Sequence, residues 1–227
     1  MDGSAFVWLF VVFGVVAAAL GYLAKQRRLE RQRTLRGLAL AEGLDFATDD
    51  PFDTLGQPFS LLQEGDGRGV ENVLWGFWHG LEIRAFDFWY YRDSTDAEGR
   101  SSRSYSRFSC LIALVEASCP QLRIAPENVL TRLASALSFD DIGFESEEFN
   151  RAFHVQGRDR RFATALVDAR MMEWMVREAQ GYSFEVTGDR LLCWIRQVEP
   201  EAVPDLLATA TTFHDRIPAV VSSLYPR

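Results

Sequence analysis

The 227-residue chain has few of the residues from which catalytic and metal centres are usually built. It contains three cysteines and three histidines, and no two cysteines have the close C-x-x-C spacing of a zinc or redox site. So few cysteines exclude a disulfide-stapled fold, and the apolar neighbours of Cys110, Cys119 and Cys193 predict buried free thiols. The sequence therefore predicts neither a metal nor a cofactor.

Motifs of nucleophilic and phosphate chemistry are also missing. No serine lies in a G-x-S-x-G motif, and the glycine-rich residues 65–69 lack the Lys and Ser or Thr of a phosphate-binding loop. An acidic cluster lacks the spacing of a calcium loop and consists of Asp140, Asp141, Glu145, Glu147 and Glu148. We therefore identify no catalytic residue, and an enzyme would have to assemble its site from residues distant in sequence, such as this cluster or His154.

The longest uncharged run lies near the N-terminus, from Ala5 to Leu23. A helix of that length measures about 30 Å, close to the hydrocarbon thickness of a bilayer. A cleavable signal peptide is the alternative, but residues 1–4 carry no basic side chain. The run therefore predicts a transmembrane helix, with the lipid bilayer as the partner of residues 5–23.

Six basic residues follow this run, whereas Asp2 is the only charged side chain before it. They are Lys25, Arg27, Arg28, Arg31, Arg33 and Arg36. Because Lys and Arg gather on the cytoplasmic side of a span, they act as a topology signal in this interpretation. The sequence predicts a single-pass plasma membrane protein with its N-terminus outside and its C-terminal domain in the cytoplasm.

The chain then divides into four parts. Residues 1–4 are a short extracytoplasmic N-terminus, residues 5–23 the span, residues 24–43 a basic helical stalk that stops at Gly43, and residues 44–227 a soluble domain. The formal net charge of the whole chain is −8, and the soluble domain is more acidic than the basic stalk. Nucleic-acid binding needs a clustered positive face, so nucleic acid is not an expected partner.

The soluble domain is predicted to be α+β, with an antiparallel sheet and packed helices. A hairpin is expected over residues 72–91 with a turn at His79 and Gly80, and a strand over residues 107–117. A second hairpin is expected to turn at Gly188 and Asp189. The polar residues 92–104 predict a mobile loop.

Helices are expected in the remaining half of the domain. Apolar residues recur at helical spacing over residues 127–138 and 159–180, and a helix is expected over residues 202–215. Asp168 would cap a second helical piece if the long run breaks there. Residues 149–155 are expected to form a strand.

Aromatic residues are concentrated in the first hairpin, with eight of them between Trp75 and Tyr91. Core packing explains one face of the hairpin, but the rings on the other face must be covered by another layer or exposed to a partner. The residues proposed for such a partner surface are Trp75, Trp78, Trp89 and Tyr91.

Four segments resemble a family of uncharacterised bacterial single-pass membrane proteins with a cytoplasmic domain of unknown function. They are Val73 to Tyr90, Phe144 to Val155, Asp159 to Trp174 and Gly188 to Leu192. The resemblance rests on strands, turns and core residues, not on a catalytic signature. It implies a bacterial membrane protein and supplies no active-site residue.

The leading hypothesis from the sequence is a membrane-anchored cytoplasmic binding or scaffolding module. A protein partner would contact the aromatic hairpin and the loop over residues 92–104. One alternative is an enzyme with a non-contiguous active site. Another is a small subunit of a larger membrane complex, which would make contacts through small residues of the span such as Gly14 and Ala18.

Overall fold

The computed structural model describes residues 3–96, 98–126 and 140–227, with side chains from Val12 onward in the first helix and from Asp141 onward in the last of these ranges. Helix α1 covers Gly3–Ala41. Gly43 follows it with a φ of 70°, as a helix stop requires. The helix predicted over residues 127–138 lies outside the described residues.

The described residues contain no helix with a stretch both long and apolar enough to cross a membrane. This finding contradicts the span predicted at Ala5–Leu23 and the single-pass plasma membrane location. The uncharged run and the basic residues that follow it form one continuous helix, because α1 extends without a break from Gly3 to Ala41.

The residues proposed as a topology signal lie in the same helix as the uncharged run. These six residues, Lys25, Arg27, Arg28, Arg31, Arg33 and Arg36, belong to the C-terminal half of the same continuous helix. Part of that half packs on the sheet, because Leu35 and Ala39 are fully buried there.

The predicted α+β class with an antiparallel sheet is confirmed. The sheet has seven strands in the order β1-β2-β3-β4-β6-β5, with β7 also paired to β4. Their bounds are β1 Asp45–Asp49, β2 Gly67–Trp78, β3 Leu81–Thr95, β4 Ser101–Ala125, β5 Asp140–Asp141, β6 His154–Gly157 and β7 Ser183–Arg196. Strand β4 is central, since β7 pairs along one of its edges while β3 and then β6 pair along the other.

The structure confirms the hairpin predicted with a turn at His79 and Gly80, but not the loop predicted after it. His79 and Gly80 both have positive φ, 48° and 84°, which fits a tight turn between β2 and β3. In the segment predicted as a mobile loop over residues 92–104, residues 92–95 extend β3 and residues 101–104 extend β4, with Ser94 paired opposite Ser102. These polar residues can form a strand pair because backbone hydrogen bonds between β3 and β4 fix the register without burial of the side chains.

The hairpin predicted at Gly188 is wrong, because β7 runs through this position without turning back. Gly188 has a φ of 57° and lies opposite Cys119, where the register with β4 shifts. A glycine in the left-handed backbone conformation occurs in β-bulges as well as in turns. Strand β4 is long enough to pair with β7 on both sides of the bulge.

Five short helices follow α1 within the residues that the structure describes. They are α2 Glu147–Ala152, α3 Arg160–Leu166, α4 Ala169–Glu178, α5 Val203–Asp215 and α6 Ala219–Leu224. Helix α2 replaces most of the strand predicted at residues 149–155. The single helix predicted over residues 159–180 is divided into α3 and α4, and at this break the Asp168 carboxylate accepts from the Met171 N–H at 2.8 Å and caps α4.

The two faces of the sheet are covered differently. On the first face all six helices contribute to one apolar core, for example through Phe162, Trp174 and Phe213. The second face is covered by residues 50–64, which we call the cover segment. This segment packs the buried residues Phe59, Leu61 and Leu62 on the sheet.

Helix α1 is fixed to the first face by a buried ion pair. The Arg31 guanidinium donates to both carboxylate oxygens of Asp87, at 2.7 and 2.6 Å, and to the Val198 carbonyl at 2.6 Å. Asn72 also donates to Asp87 at 2.8 Å. Burial lowers the pKa of Arg31, but its bonds and charge interaction with Asp87 outweigh burial and leave that pKa raised.

The cover segment is fixed to the second face through a fully buried carboxylate. Glu185 of β7 accepts from the Ser60 N–H at 3.0 Å, the Ser60 hydroxyl at 2.9 Å and the Gln121 amide at 2.7 Å. Arg123 lies opposite it in the β4–β7 register. Burial raises the pKa of Glu185, and the surrounding donors and the Arg123 charge only partly oppose this effect.

Arg31→Met should lower the free energy of unfolding by about 3–5 kcal/mol, because the buried Asp87 carboxylate loses its charged partner. Urea unfolding of the full chain followed by circular dichroism measures the change. Arg33→Met, at an exposed position of the same helix, is the control and should change stability by less than about 0.5 kcal/mol. Equal effects of the two substitutions would contradict the role given to the Arg31–Asp87 pair.

Glu185→Gln should remove a pH dependence of stability. A carboxyl whose pKa is raised on folding stabilises the folded state fully below its unfolded value of 4.5, and this contribution disappears as pH rises through the folded value. The unfolding free energy of the wild type relative to Glu185→Gln should therefore fall as pH rises above 4.5. Glu116→Gln, at an exposed strand position, should show no such trend, and a flat difference for Glu185→Gln would refute the assignment.

Candidate functional site

The structure divides the four residues proposed as a partner surface. Trp75 lies on the second face, where its ring meets Phe52 edge-on at a centroid distance of 5.2 Å. Trp78 packs against the core of the first face beside the turn. Trp89 and Tyr91 lie on the first face, further along β3.

Trp89 and Tyr91 form a continuous row of rings with Tyr105, which we call the aromatic ladder. The Trp89 and Tyr91 rings stack at 6.5 Å with an interplanar angle of 15°, and Tyr105 contacts them at 6.2 and 5.6 Å. Tyr105 is 56% exposed, and the other two are half-buried. The sequence interpretation missed Tyr105, although Arg103, Tyr105 and Arg107 alternate as one face of a strand would.

Two glycines of β2 let the rings lie flat on the sheet. Gly67 pairs with Tyr91 and Gly69 pairs with Trp89. A Cβ at Gly67 would overlap the Tyr91 ring, and one at Gly69 would lie 2.7 Å from the Trp89 ring. The rings therefore occupy the space that side chains of β2 would otherwise fill.

Arginines flank the aromatic ladder on both sides. The Arg103 guanidinium lies 3.9 Å from the Tyr91 ring centroid and donates to both oxygens of Asp93, at 2.7 and 2.9 Å. This bond raises the pKa of Arg103 and lowers the pKa of Asp93. On the other side, Arg107 is the cross-strand partner of Trp89.

A groove of about 660 Å³ separates α1 from the sheet next to Arg107. Its charged lining consists of Lys25, Arg27, Arg28, Arg31, Arg107 and Glu71. Glu71 accepts from Arg28 at 2.8 Å and from Arg107 at 3.1 Å, so the helix and the strand share one carboxylate. Some of the basic residues of α1 thus hold the helix against the sheet through ion pairs.

A second groove of about 760 Å³ lies on another flank of α1. Three carboxylates line it, those of Glu30, Glu199 and Glu201, together with Arg27 and Arg31. In the part of the chain that the structure describes, no group of three or more His, Cys, Asp or Glu side chains could hold a metal ion.

The remaining chemical candidates of the sequence have local contacts. Glu147 and Glu148 of the acidic cluster begin α2, and Asp141 accepts from Gln156 at 3.1 Å. His79 is the exposed turn residue that the sequence predicts, and His214 contacts its neighbour Asp215.

All three cysteines are buried and free, as predicted. Burial raises the pKa of Cys119 to about 11 and those of Cys110 and Cys193 well above the ordinary thiol value. The thiols are therefore protonated at neutral pH and are poor nucleophiles.

Comparison with known proteins identifies the fold. No protein-family model matches the chain, and no curated protein matches its sequence. Among solved structures, the chain is similar to the mycobacterial trehalose monomycolate transport factor A, TtfA. The TM-score is 0.58 at 14% identity, and the match covers 83% of this chain and 96% of that chain. A likeness at this identity shows a common fold alone.

Gly67→Ala should displace the Tyr91 ring, because the new Cβ has no room beneath it. The near-ultraviolet circular dichroism of the aromatic residues should change, while the far-ultraviolet spectrum stays the same and stability falls by about 1–3 kcal/mol. Gly143→Ala is the control, since a Cβ added there would meet no atom within 4 Å and its φ is not positive. An unchanged aromatic spectrum for Gly67→Ala would mean that the glycine does not position the ladder.

Proposed function

We propose that the protein is a binding module that holds a protein partner on the aromatic ladder. The observation that carries this proposal is the row of Trp89, Tyr91 and Tyr105 on the β3–β4 hairpin, where 56% of Tyr105 is exposed. Aromatic rings and arginine are the side chains most enriched where protein partners bind tightly. The ladder combines both types.

The geometry supports binding because the rings are already ordered. Gly67 and Gly69 seat them, and Arg103 is held over Tyr91 by its two bonds to Asp93. A surface fixed before binding loses less conformational freedom in the complex, which favours affinity. The overall negative charge of −8 also favours a protein partner over a nucleic acid.

The structural neighbour is compatible with this role. TtfA is named a transport factor, and a factor that acts by binding another protein would need a contact surface of this kind.

Site-specific photo-crosslinking tests the proposal. A photoreactive phenylalanine analogue is placed at Tyr105 in the full chain in its native cells, and crosslinked proteins are identified by mass spectrometry. Position 77 is the matched control, because Phe77 is an exposed aromatic residue, 70% accessible, on the opposite face of the sheet. We expect a specific protein at position 105 that is absent at position 77.

The same partner, once purified, should bind the Trp89→Ala/Tyr91→Ala variant more weakly, with a loss on the order of thirtyfold in affinity if the rings are a binding hot spot. The single variant Trp89→Phe, which keeps an aromatic ring, should lose less. Identical crosslinks at the two positions, or unchanged affinity of the double variant, would overturn the proposal.

A further inference from the structure

A pocket of about 380 Å³ lies on the second face of the sheet, where the cover segment ends. Trp75, Arg84 and Ile112 are adjacent in the register and form one row of its floor. Phe77, Glu82 and Arg190 belong to the next row, beyond which the hairpin turns. Phe52, from the cover segment, forms the wall.

The pocket leaves apolar surface open to solvent. Phe77 is 70% exposed and Leu114 is 37% exposed, although both continue the face that the cover segment buries elsewhere. Trp75 is half-buried at the inner end. The volume falls within the range of small-molecule sites, about 300–1,000 Å³, which are mostly apolar with a few polar groups.

Arg84 is the arginine of this pocket that has no hydrogen-bond acceptor among the described residues. Its guanidinium stacks 3.8 Å from the Phe52 ring centroid, but within the described residues it donates to no hydrogen-bond acceptor and joins no ion pair. The charge of the Asp50 carboxylate acts on Arg84, but the oxygens of this carboxylate accept from the N–H groups of Phe52 and Thr54. The stacked guanidinium therefore keeps its N–H donors for another acceptor.

Arg190 adds a second positive charge. It donates to the Gln57 side chain and lies 3.4 Å from the Asp189 carboxylate. Burial lowers the pKa of Arg84, and the charge of Arg190 lowers it further, whereas Asp50 and Glu82 act in the opposite direction. An added anion would relieve the repulsion between the two arginines.

The charges on the lining also indicate which anion fits. Within the lining, Glu82 opposes the charges of Arg84 and Arg190, and Asp50 and Asp189 lie close to these two arginines. These carboxylates would repel a doubly charged phosphate group more strongly than a singly charged carboxylate. A carboxylate also matches the planar fork of a guanidinium.

We propose that this pocket binds a small amphiphilic carboxylate. Its carboxylate accepts from the N–H groups of Arg84 and faces Arg190, and its apolar body lies on Trp75, Phe77 and Leu114. This site is separate from the aromatic ladder, which lies on the first face. A result that refutes one of the two proposals therefore leaves the other unaffected.

Titration of the full-length protein with decanoate tests the site, with decanol as the uncharged analogue of the same chain length and inorganic phosphate as the anion without an apolar body. The signal is the indole N–H resonance of Trp75, assigned with Trp75→Phe. We expect saturable shifts with decanoate, at least about tenfold weaker binding of decanol, and no saturation with phosphate. Equal binding of decanoate and decanol would overturn the proposal.

Two substitutions with opposite expected effects on decanoate affinity distinguish loss of the binding site from loss of folding. Arg84→Met should weaken decanoate binding by about tenfold or more, since charge-assisted bonds are lost, whereas Glu82→Gln should strengthen it by removing the opposing carboxylate. Arg103→Met, which removes an arginine stacked on a ring of the other face, should leave binding unchanged. Unchanged affinity in both Arg84→Met and Glu82→Gln would refute the site.

Discussion

The ion pair between Arg31 and Asp87 is the contact on which the arrangement of the first face depends. Asp87 lies in the middle of β3 with a side chain only 4% exposed, so its charge must be paired inside the protein. Arg31 meets this requirement and also bonds the Val198 carbonyl, just before α5 begins. One guanidinium thereby joins α1, the sheet and the segment that leads to the C-terminal helices. The grooves beside α1 exist because the helix is held at this point while its basic side chains extend on both flanks.

The uneven covering of the sheet explains where binding surfaces remain. Six helices share the first face, but none of the described contacts places a helix over Trp89, Tyr91 and Tyr105. On the second face the cover segment is anchored at Ser60 by Glu185, and its outermost ring is Phe52, beyond which Phe77 stays exposed. Each face therefore ends in aromatic surface that the described part of the chain does not bury. Exposed aromatic surface of this kind is typical of contact sites.

Much of the fold could be predicted from the sequence because short-range rules decide it. The turn at His79 and Gly80, the cap at Asp168 and the α+β class all follow from local patterns. The bulge at Gly188 could not be told from a turn, since the difference depends on the distant strand β4. The predicted span at Ala5–Leu23 is contradicted, and the helix that contains this run continues to Ala41 and packs its C-terminal end on the sheet. For the site, the sequence identified Trp89 and Tyr91 but not Tyr105, whose place depends on cross-strand register.

Arginine, and not lysine, makes the two surfaces possible. The chain has a single lysine, and guanidinium groups lie over the rings of Tyr91 and Phe52 at 3.9 and 3.8 Å. A planar guanidinium can stack on a ring through its face while its N–H groups still bond in the plane. At Tyr91 those N–H groups bind Asp93 and fix the ladder. At Phe52 the same stacking leaves Arg84 without an acceptor in the described residues. The stacked arginine therefore stabilises the ladder at Tyr91, whereas at Phe52 its N–H groups are available to a ligand.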